Sequence, residues 1–293
     1  MSFSFGFSLN ENAESNGMET TDAANEIGFD AFVAKSADVG VLPAKIVDYK
    51  HSTTDASTRH VVFEFGNAMQ LKKVELCEHP GTLSSEKIPI NYDIVPQKYG
   101  GGYKVWECSM DLVQYLVEDP SACNQVQQSK CTLELGCGHG LPGITALKLG
   151  CQKVFFSDLN EEVLQETTWP NITLNCPNLA PNSSVCVSGD WNSMMPVISE
   201  YEKTTVIFDL ILSAETIYTV ENCISIINLL KMHLNKEGGV AYFATKRYYF
   251  GLGGGTEQLQ EHLTESTGLA CIVVKSFEDG SSNIRDIIKI YWK

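Results

Sequence analysis

From about Met110 onward, short apolar runs alternate with segments of helical period. Met110 to Val117 has the spacing of a helix, CTLELG reads as a strand, and GITALKLG reads as the helix that follows it. KVFFSD is a second strand, followed by a helix from about Asn160 to Asn175. VCVSGD, VIFDLILSA and GGVAYFATK supply strands three to five, with helices near Asn222 to Leu234 and Thr256 to Thr267. Strand and helix in alternation predict a parallel sheet with helices on both faces. The last apolar runs, LACIVVKSF and IRDIIKIYWK, are separated only by EDGSSN, whereas a parallel crossover needs about a dozen residues or more. They are therefore expected to pair as an antiparallel hairpin. The pattern predicts an α/β, doubly wound, seven-stranded, mostly parallel sheet whose last strand is antiparallel.

Upstream the pattern is different. Between Ala44 and Cys77 the β-like runs AKIVDYK and HVVFEFG flank the polar linker STTDASTR, which predicts a hairpin or small sheet placed to cover the active site. Pro80, Gly81, Pro89, Pro96 and Gly100 to Gly102 mark loop. Residues 1–40 are rich in Ser, Asn, Glu and Ala and read as a mobile arm, although Phe3, Phe5 and Phe7 alternate as a strand would. Three parts are expected: the arm at 1–40, a β-rich N-terminal extension at 41–98, and the main domain at 99–293.

Composition narrows the possible partners. With 43% hydrophobic and 19% charged residues over 293 positions, the body can bury a core without a staple. Ten cysteines without a C-x-x-C pair are expected to be reduced thiols, and no metal is expected. Twenty-one basic against 36 acidic residues, a net charge of −15, oppose attraction to phosphate backbones and anionic lipid. A neutral or basic partner is favoured over nucleic acid or membrane, and a monomer is expected. No apolar stretch approaches a membrane span, and MSFSFGFSLNENAES lacks the basic start and apolar core of a secretory signal, so the chain is expected to stay inside the cell.

Candidate chemistry gathers at LELGCGHGLPG, where a strand gives way to a helix through glycines that turn tightly and admit a ligand to free N–H groups. Pro142 suits the first helical turn. Gly138, Gly140 and Gly143 satisfy the dinucleotide spacing, and Asp158 lies near the distance of a ribose-binding acid, which keeps a nicotinamide cofactor open. The alternative alignment, Glu134 followed by Gly136, Gly138 and Gly140, resembles motif one of the S-adenosylmethionine-dependent methyltransferases. Asp158, ending FFSDLN, can accept from a ribose diol or cap the next helix. Asp190 and Trp191 follow strand three, where an acid can meet an adenine amine or simply sit in a turn. Asn160 and Asn192 either assist or cap a helix. Trp106, Glu107 and Ser109, in KVWECSMDLVQYL, either wall the cofactor site or belong to an amphipathic helix. His139 is read as part of the backbone cradle.

Together GGGYKVWECSMDLVQYL, LELGCGHGLPG, FSDLN, SAETIY and RYYFGLGGGT resemble the protein-histidine methyltransferases of the seven-strand class, neighbours of the small lysine methyltransferases. The similarity runs from about Tyr99 to the C-terminus, and MSFSFGF resembles their N-termini. WEC and YYFGLGGGT are narrow motifs, whereas the glycine loop is shared by many families. The resemblance implies S-adenosyl-L-methionine as cofactor, transfer of a methyl group to a histidine ring nitrogen, ribosomal protein three of the large subunit as substrate, and a cytoplasmic and nuclear location. Its cofactor set is Trp106, Glu134, Gly136, Gly138, Gly140, Asp158, Asn160, Asp190, Trp191 and Ser213.

Histidine, with a pKa of about 6.5, is mostly neutral at pH 7, whereas lysine near 10.4 must lose a proton at about 4 to 5 kcal/mol. The useful group is then an acceptor for the other ring N–H, and Glu215 in SAETIY is the candidate, with Ser213 and Tyr218 beside it at the carboxyl end of strand four. Tyr248, Tyr249, Phe250, Gly253, Gly254 and Gly255 are assigned to substrate recognition by a flexible loop. A lysine methyltransferase, a nicotinamide-dependent oxidoreductase and a non-catalytic binding module are the alternatives.

Overall fold

The computed structural model describes residues 43–47, 59–75, 101–263, 267–278, 280 and 283–293. Strands β1 (Lys45–Ile46), β2 (His60–Glu64) and β3 (Gln70–Val74) precede helices α1 (Glu107–Glu118) and α2 (Pro120–Gln128). Then follow β4 (Thr132–Leu135), α3 (Leu141–Leu149), β5 (Val154–Asp158), α4 (Glu161–Val163), a π-helical turn (Leu164–Thr168), α5 (Trp169–Asn175), β6 (Ser184–Ser188) and α6 (Trp191–Glu202). The rest is β7 (Leu210–Ala214), α7 (Val220–His233), β8 (Val240–Lys246), α8 (Thr256–His262), β9 (Leu269–Phe277) and β10 (Arg285–Trp292).

Among the described residues the main sheet has eight strands in the order β1-β6-β5-β4-β7-β8-β10-β9. The run β6-β5-β4-β7-β8 is parallel. β10 is antiparallel to both its neighbours, so the seven-stranded sheet with a reversed last strand is present, with β10 inserted between β8 and β9. The strands alternate their large side chains between two cores. Phe156, Tyr242 and Ile287 meet α1, α3 and α5, while Phe155, Phe243 and Ile288 meet α6, α7 and α8. Each such fully buried side chain contributes about 1.5–3 kcal/mol.

The extension differs from expectation. Among the described residues, AKIVDYK and HVVFEFG do not pair with one another. Lys45–Ile46 adds an eighth strand at the edge of the main sheet, against Val187 and Ser188. The reason is Gly189, whose φ is 121° and where a Cβ would lie 2.5 Å from Ala44 Cα. HVVFE instead pairs with QLKKV through the turn at Gly66–Ala68. Two adjacent lysines hide β3 in the sequence, although Leu71 and Val74 are buried. None of 43–47 or 59–75 lines the active-site cleft described below, so these residues do not cover it. The hairpin packs on α5 instead. The Val74 N–H donates to Asn171 Oδ1 at 2.8 Å, and the Lys72 N–H donates to Asn175 Oδ1 at 2.8 Å. Asparagine side chains thus satisfy N–H groups on the β3 edge that faces away from β2.

Two helices were not foreseen. Asp119 accepts the Ala122 N–H to start α2, whose only buried side chains are Ala122 and Val126, too few to show a period. Asp190 accepts the Asn192 N–H to start α6, where the internal Pro196 masks the pattern. The expected helix from Asn160 to Asn175 is interrupted by the π-helical turn. Pro170, just after it, has no N–H to give and would crowd a regular preceding turn. α8 ends at His262, short of Thr267, and 264–266 lie outside the described residues, as do the arm at 1–40 and Cys77. The described cysteines are all free thiols.

Asn171→Ala leaves the buried Val74 N–H unpaired and should cost about 1–3 kcal/mol, lowering the thermal midpoint by about 2–4 °C per kcal/mol. Denaturant unfolding of the two proteins side by side measures this. A change too small to resolve would mean the hairpin does not depend on α5.

Candidate active site

Parallel register brings the carboxyl ends of β4, β5, β6 and β7 to one edge, pairing Leu135 with both Ser157 and Ser213, and Asp158 with Ser188. The chain turns away from each strand there, leaving a cleft of about 980 Å³ including its open mouth. Of the predicted residues, Trp106, Ser109, Glu134, Gly136, Gly138, His139, Asp158, Asp190, Trp191, Glu215 and Tyr218 line it. Gly140, Asn160 and Ser213 lie behind the wall. Gly140 is the left-handed N-cap of α3, the Asn160 N–H donates to Asp158 Oδ1 at 3.1 Å, and the Ser213 hydroxyl donates to the Leu135 carbonyl at 3.0 Å. Ser213 therefore holds the end of β4 rather than facing a ligand.

The glycine loop is pinned from several sides. The Gly138 N–H donates to Asp158 Oδ2 at 3.0 Å, and its carbonyl accepts the Thr168 hydroxyl at 2.5 Å. Thr168 comes from the π-helical turn, so that irregularity delivers a donor to the loop. Gly138 has a φ of 50°, and a Cβ there would sit 3.1 Å from the Gly102 carbonyl oxygen. Glu134 Oε2 accepts the Gly143 N–H at 2.9 Å, and an added Cβ at Gly143 would lie 2.4 Å from that oxygen. A carboxyl group thus occupies the N-terminus of α3, where a dinucleotide would present its pyrophosphate. This disfavours the nicotinamide reading.

Burial governs the charges. It raises Asp158 to about 6, against the lowering effect of the N–H groups of Asn160, Gly138 and Leu159. It also pushes Glu134 well up, opposed by the Gly143 N–H and reinforced by Asp158. Burial lowers His139 to about 4, so its ring is neutral at pH 7. Nε2 is 2.9 Å from the Tyr103 carbonyl and Nδ1 is 3.2 Å from Asn171 Nδ2, which requires the proton on Nε2. His139 thereby joins the loop to the Gly101–Lys104 turn and to α5, a bracing role consistent with its reading as cradle.

Glu215 follows β7 with a φ of 59°, a left-handed conformation costly for a residue with a Cβ and characteristic of functional positions. Its Oε2 accepts the Tyr249 hydroxyl. Its Oε1 is buried with no partner at hydrogen-bond distance, the Lys246 ammonium lying 3.8 Å away, and the buried Cys108 thiol neighbours the same carboxylate. Burial, and then the Glu215 carboxylate, hold the Tyr249 hydroxyl far above the usual phenol range, so it remains a donor. Tyr249 also meets Tyr218 edge-on at 6.3 Å.

The remaining substrate candidates divide. Tyr248 and Phe250 are stacked on the surface, 6.5 Å apart, and Phe250 is 88% exposed. Gly253, Gly254 and Gly255 do not form a loose flap. Gly253 bridges Thr219, and the N–H groups of Gly254 and Gly255 donate to the carbonyls of Tyr218 and Ile217. A Cβ at Gly254 would lie 2.3 Å from the Ile217 carbonyl oxygen, so glycine is needed for two backbones to touch. Sequence reasoning missed Lys246 and the wall formed by Gly101 and Gly102. The triple glycine was the available signal for the wall, and the lysine was legible only as one of two bases in TKRYYFGLGGGT, a segment read as gripping a peptide and not as facing Glu215.

A left-handed glycine loop under buried acids, at the carboxyl edge of this sheet, defines a nucleotide-type cofactor fold of the methyltransferase kind. The fold matches a Streptococcus mutans chain assigned as a SAM-dependent methyltransferase, with a TM-score of 0.50 and 11% identity over 80% of this chain and 56% of that one. A protein family described as lysine methyltransferase matches residues 85–258. A histidine protein methyltransferase 1 homolog of Dictyostelium discoideum is 39% identical over 70% of this chain and 62% of its own length. The Bos taurus homolog of the same name is 30% identical over 80% of this chain and 67% of its own length. The chain thus spans 62% and 67% of the lengths of these two relatives. It belongs to this methyltransferase family, whose methyl donor is S-adenosyl-L-methionine.

The residues fit that donor. Asp158 lines the cleft with acceptor capacity beyond the N–H groups it already holds, the loop backbone is open at Gly136 and Gly138, and Trp106 adds an aromatic ring to the same wall. Ribose hydroxyls need the ionised form of Asp158. Cofactor affinity should therefore be full above pH 7 and fall as pH drops through about 6, reaching roughly tenfold weaker near pH 5. Calorimetric titration with S-adenosylhomocysteine measures this, and Asp158→Asn should bind weakly with the step removed.

Proposed function

We propose that the chain methylates a ring nitrogen of histidine in a protein substrate, and that this substrate is a large-subunit ribosomal protein, ribosomal protein three. The observation that carries the reading is Glu215 in the cleft wall, held at Oε2 by Tyr249 with Oε1 left without a hydrogen bond. An unsatisfied buried acceptor costs about 1–3 kcal/mol unless a ligand supplies the donor. An imidazole N–H is such a donor. The histidine names of the two relatives support the same choice. A basic ribosomal protein suits a chain of net charge −15, and a monomer working in cytoplasm and nucleus accords with this reading.

S-adenosyl-L-methionine, when bound, supplies an electrophilic methyl group. Glu215 accepts the N–H of the ring nitrogen that does not react, which selects one tautomer and turns the other nitrogen's lone pair toward the methyl. It also offsets the positive charge that grows on the ring and can take the proton the ring releases. Trp106, Asp158 and the glycine loop would hold the donor. Alignment of this kind is worth roughly 7–11 kcal/mol in well-oriented systems. Tyr248 and Phe250 present an exposed aromatic surface suited to gripping the polypeptide around the target.

The test is to incubate the full chain with methyl-labelled S-adenosylmethionine and ribosome-containing extract from cells lacking it, and to map the label by mass spectrometry. Label is expected on a histidine of one large-subunit protein. Glu215→Gln should lower turnover by about 10²- to 10⁴-fold while cofactor still binds. Label confined to lysine, or unchanged turnover in the variant, would overturn the proposal.

A further inference from the structure

Lys246 ends β8 and reaches Glu215, the cleft carboxylate whose Oε1 is buried without a hydrogen-bond partner. Its ammonium lies 3.8 Å from Glu215 Oε1 and 5.7 Å from the ring centroids of both Trp106 and Tyr249. Side-chain exposure is 20% for Lys246 and 5% for Glu215, so bulk water screens the pair only partly. At 3.8 Å the contact is too long for a hydrogen bond. Lys246 therefore balances the charge of Glu215 without using the lone pairs of Oε1.

We infer that Lys246 is a specificity-determining residue, restricting the methyl acceptor to a neutral side chain and so to histidine rather than lysine. The inference rests on the reading of Glu215 as the group that receives the acceptor. A lone buried carboxylate attracts a cation, and a substrate ammonium would fill that role. Here the role is already filled by the chain itself. A second ammonium hydrogen-bonded to Oε1 would lie within about 6.6 Å of the Lys246 nitrogen. At an effective permittivity of about 20, that repulsion disfavours occupancy by roughly fifty-fold or more. A neutral imidazole escapes this penalty and still gives Oε1 its missing N–H.

The surroundings hold this arrangement. Lys246 pairs in register with Arg285, which is committed to Asp111 at 2.6 Å and Glu107 at 3.4 Å, so those acids do not draw Lys246 away. Tyr249 fixes the other oxygen of Glu215. Lys104, 4.5 Å from the Trp106 ring, adds a further positive charge to the lining of the cleft.

The experiment compares wild type with Lys246→Met, Lys246→Gln and Lys246→Arg in the labelled-extract assay, reading the ratio of label on lysine to label on histidine. A pair of synthetic peptides spanning the mapped position, one with histidine and one with lysine there, repeats the measurement on a defined substrate. Binding of S-adenosylhomocysteine confirms that each variant is folded. The two neutral variants should raise the lysine-to-histidine ratio at least tenfold, and Lys246→Arg should keep the wild-type ratio. Neutral variants that bind S-adenosylhomocysteine yet keep the ratio within twofold, or lose all transfer, would overturn the inference while leaving histidine methylation standing. Wild type labelling lysine would overturn both, and that result is visible without any variant.

Discussion

Parallel register at β4 is the constraint on which the rest depends. Because Leu135 is level with Ser157 on one side and Ser213 on the other, the chain leaves the sheet at one height on adjacent strands. Ser157 and Ser213 secure that edge by donating to the carbonyls of Glu134 and Leu135. Gly136, Asp158, Gly189 and Glu215 then all fall at strand ends, and a cleft follows from the geometry of the sheet. Slipping β4 by one residue would turn Glu134 to the opposite face and remove its contact with Gly143.

Acidic groups pack this edge, yet each performs a different task because its partners differ. Glu134 is spent on the first turn of α3, and Asp158 ties Gly138 to Asn160. Glu215 is left half-satisfied beside a lysine. Buried carboxylates are costly, and their persistence here reflects backbone N–H groups, a phenol and an ammonium supplied at matching positions. Bracing also reaches outward. His139 and Asn171 link the loop to the hairpin β2–β3. On the other side, Asp286 holds Arg247 and Thr256, the two ends of the segment that carries Tyr249.

Much of this was legible in the order of residues. Local steric rules act within a few positions, so LELGCGHGLPG announced a strand, a left-handed turn and a helix. EDGSSN excluded a parallel crossover by its length alone. Glu215 could be singled out because a residue just past a parallel strand faces the ligand edge. The helices α2 and α6 escaped because the first buries few side chains and the second carries Pro196. Gly253 to Gly255 read as a flexible loop because glycine permits both mobility and close backbone contact, and only the position of Ile217 distinguishes them.

By itself, then, the chain's sequence determined the alternation of strands and helices, the cofactor loop and the identity of the acids at strand ends, because these depend on neighbours close in the chain. Only the tertiary structure decided that Lys45–Ile46 joins the main sheet, that the hairpin rests on α5, that Ser213 holds a strand rather than a ligand, and that Lys246 faces Glu215. Those contacts join residues from about 30 to more than 140 positions apart, and their partners depend on how the faces of the sheet and helices pack.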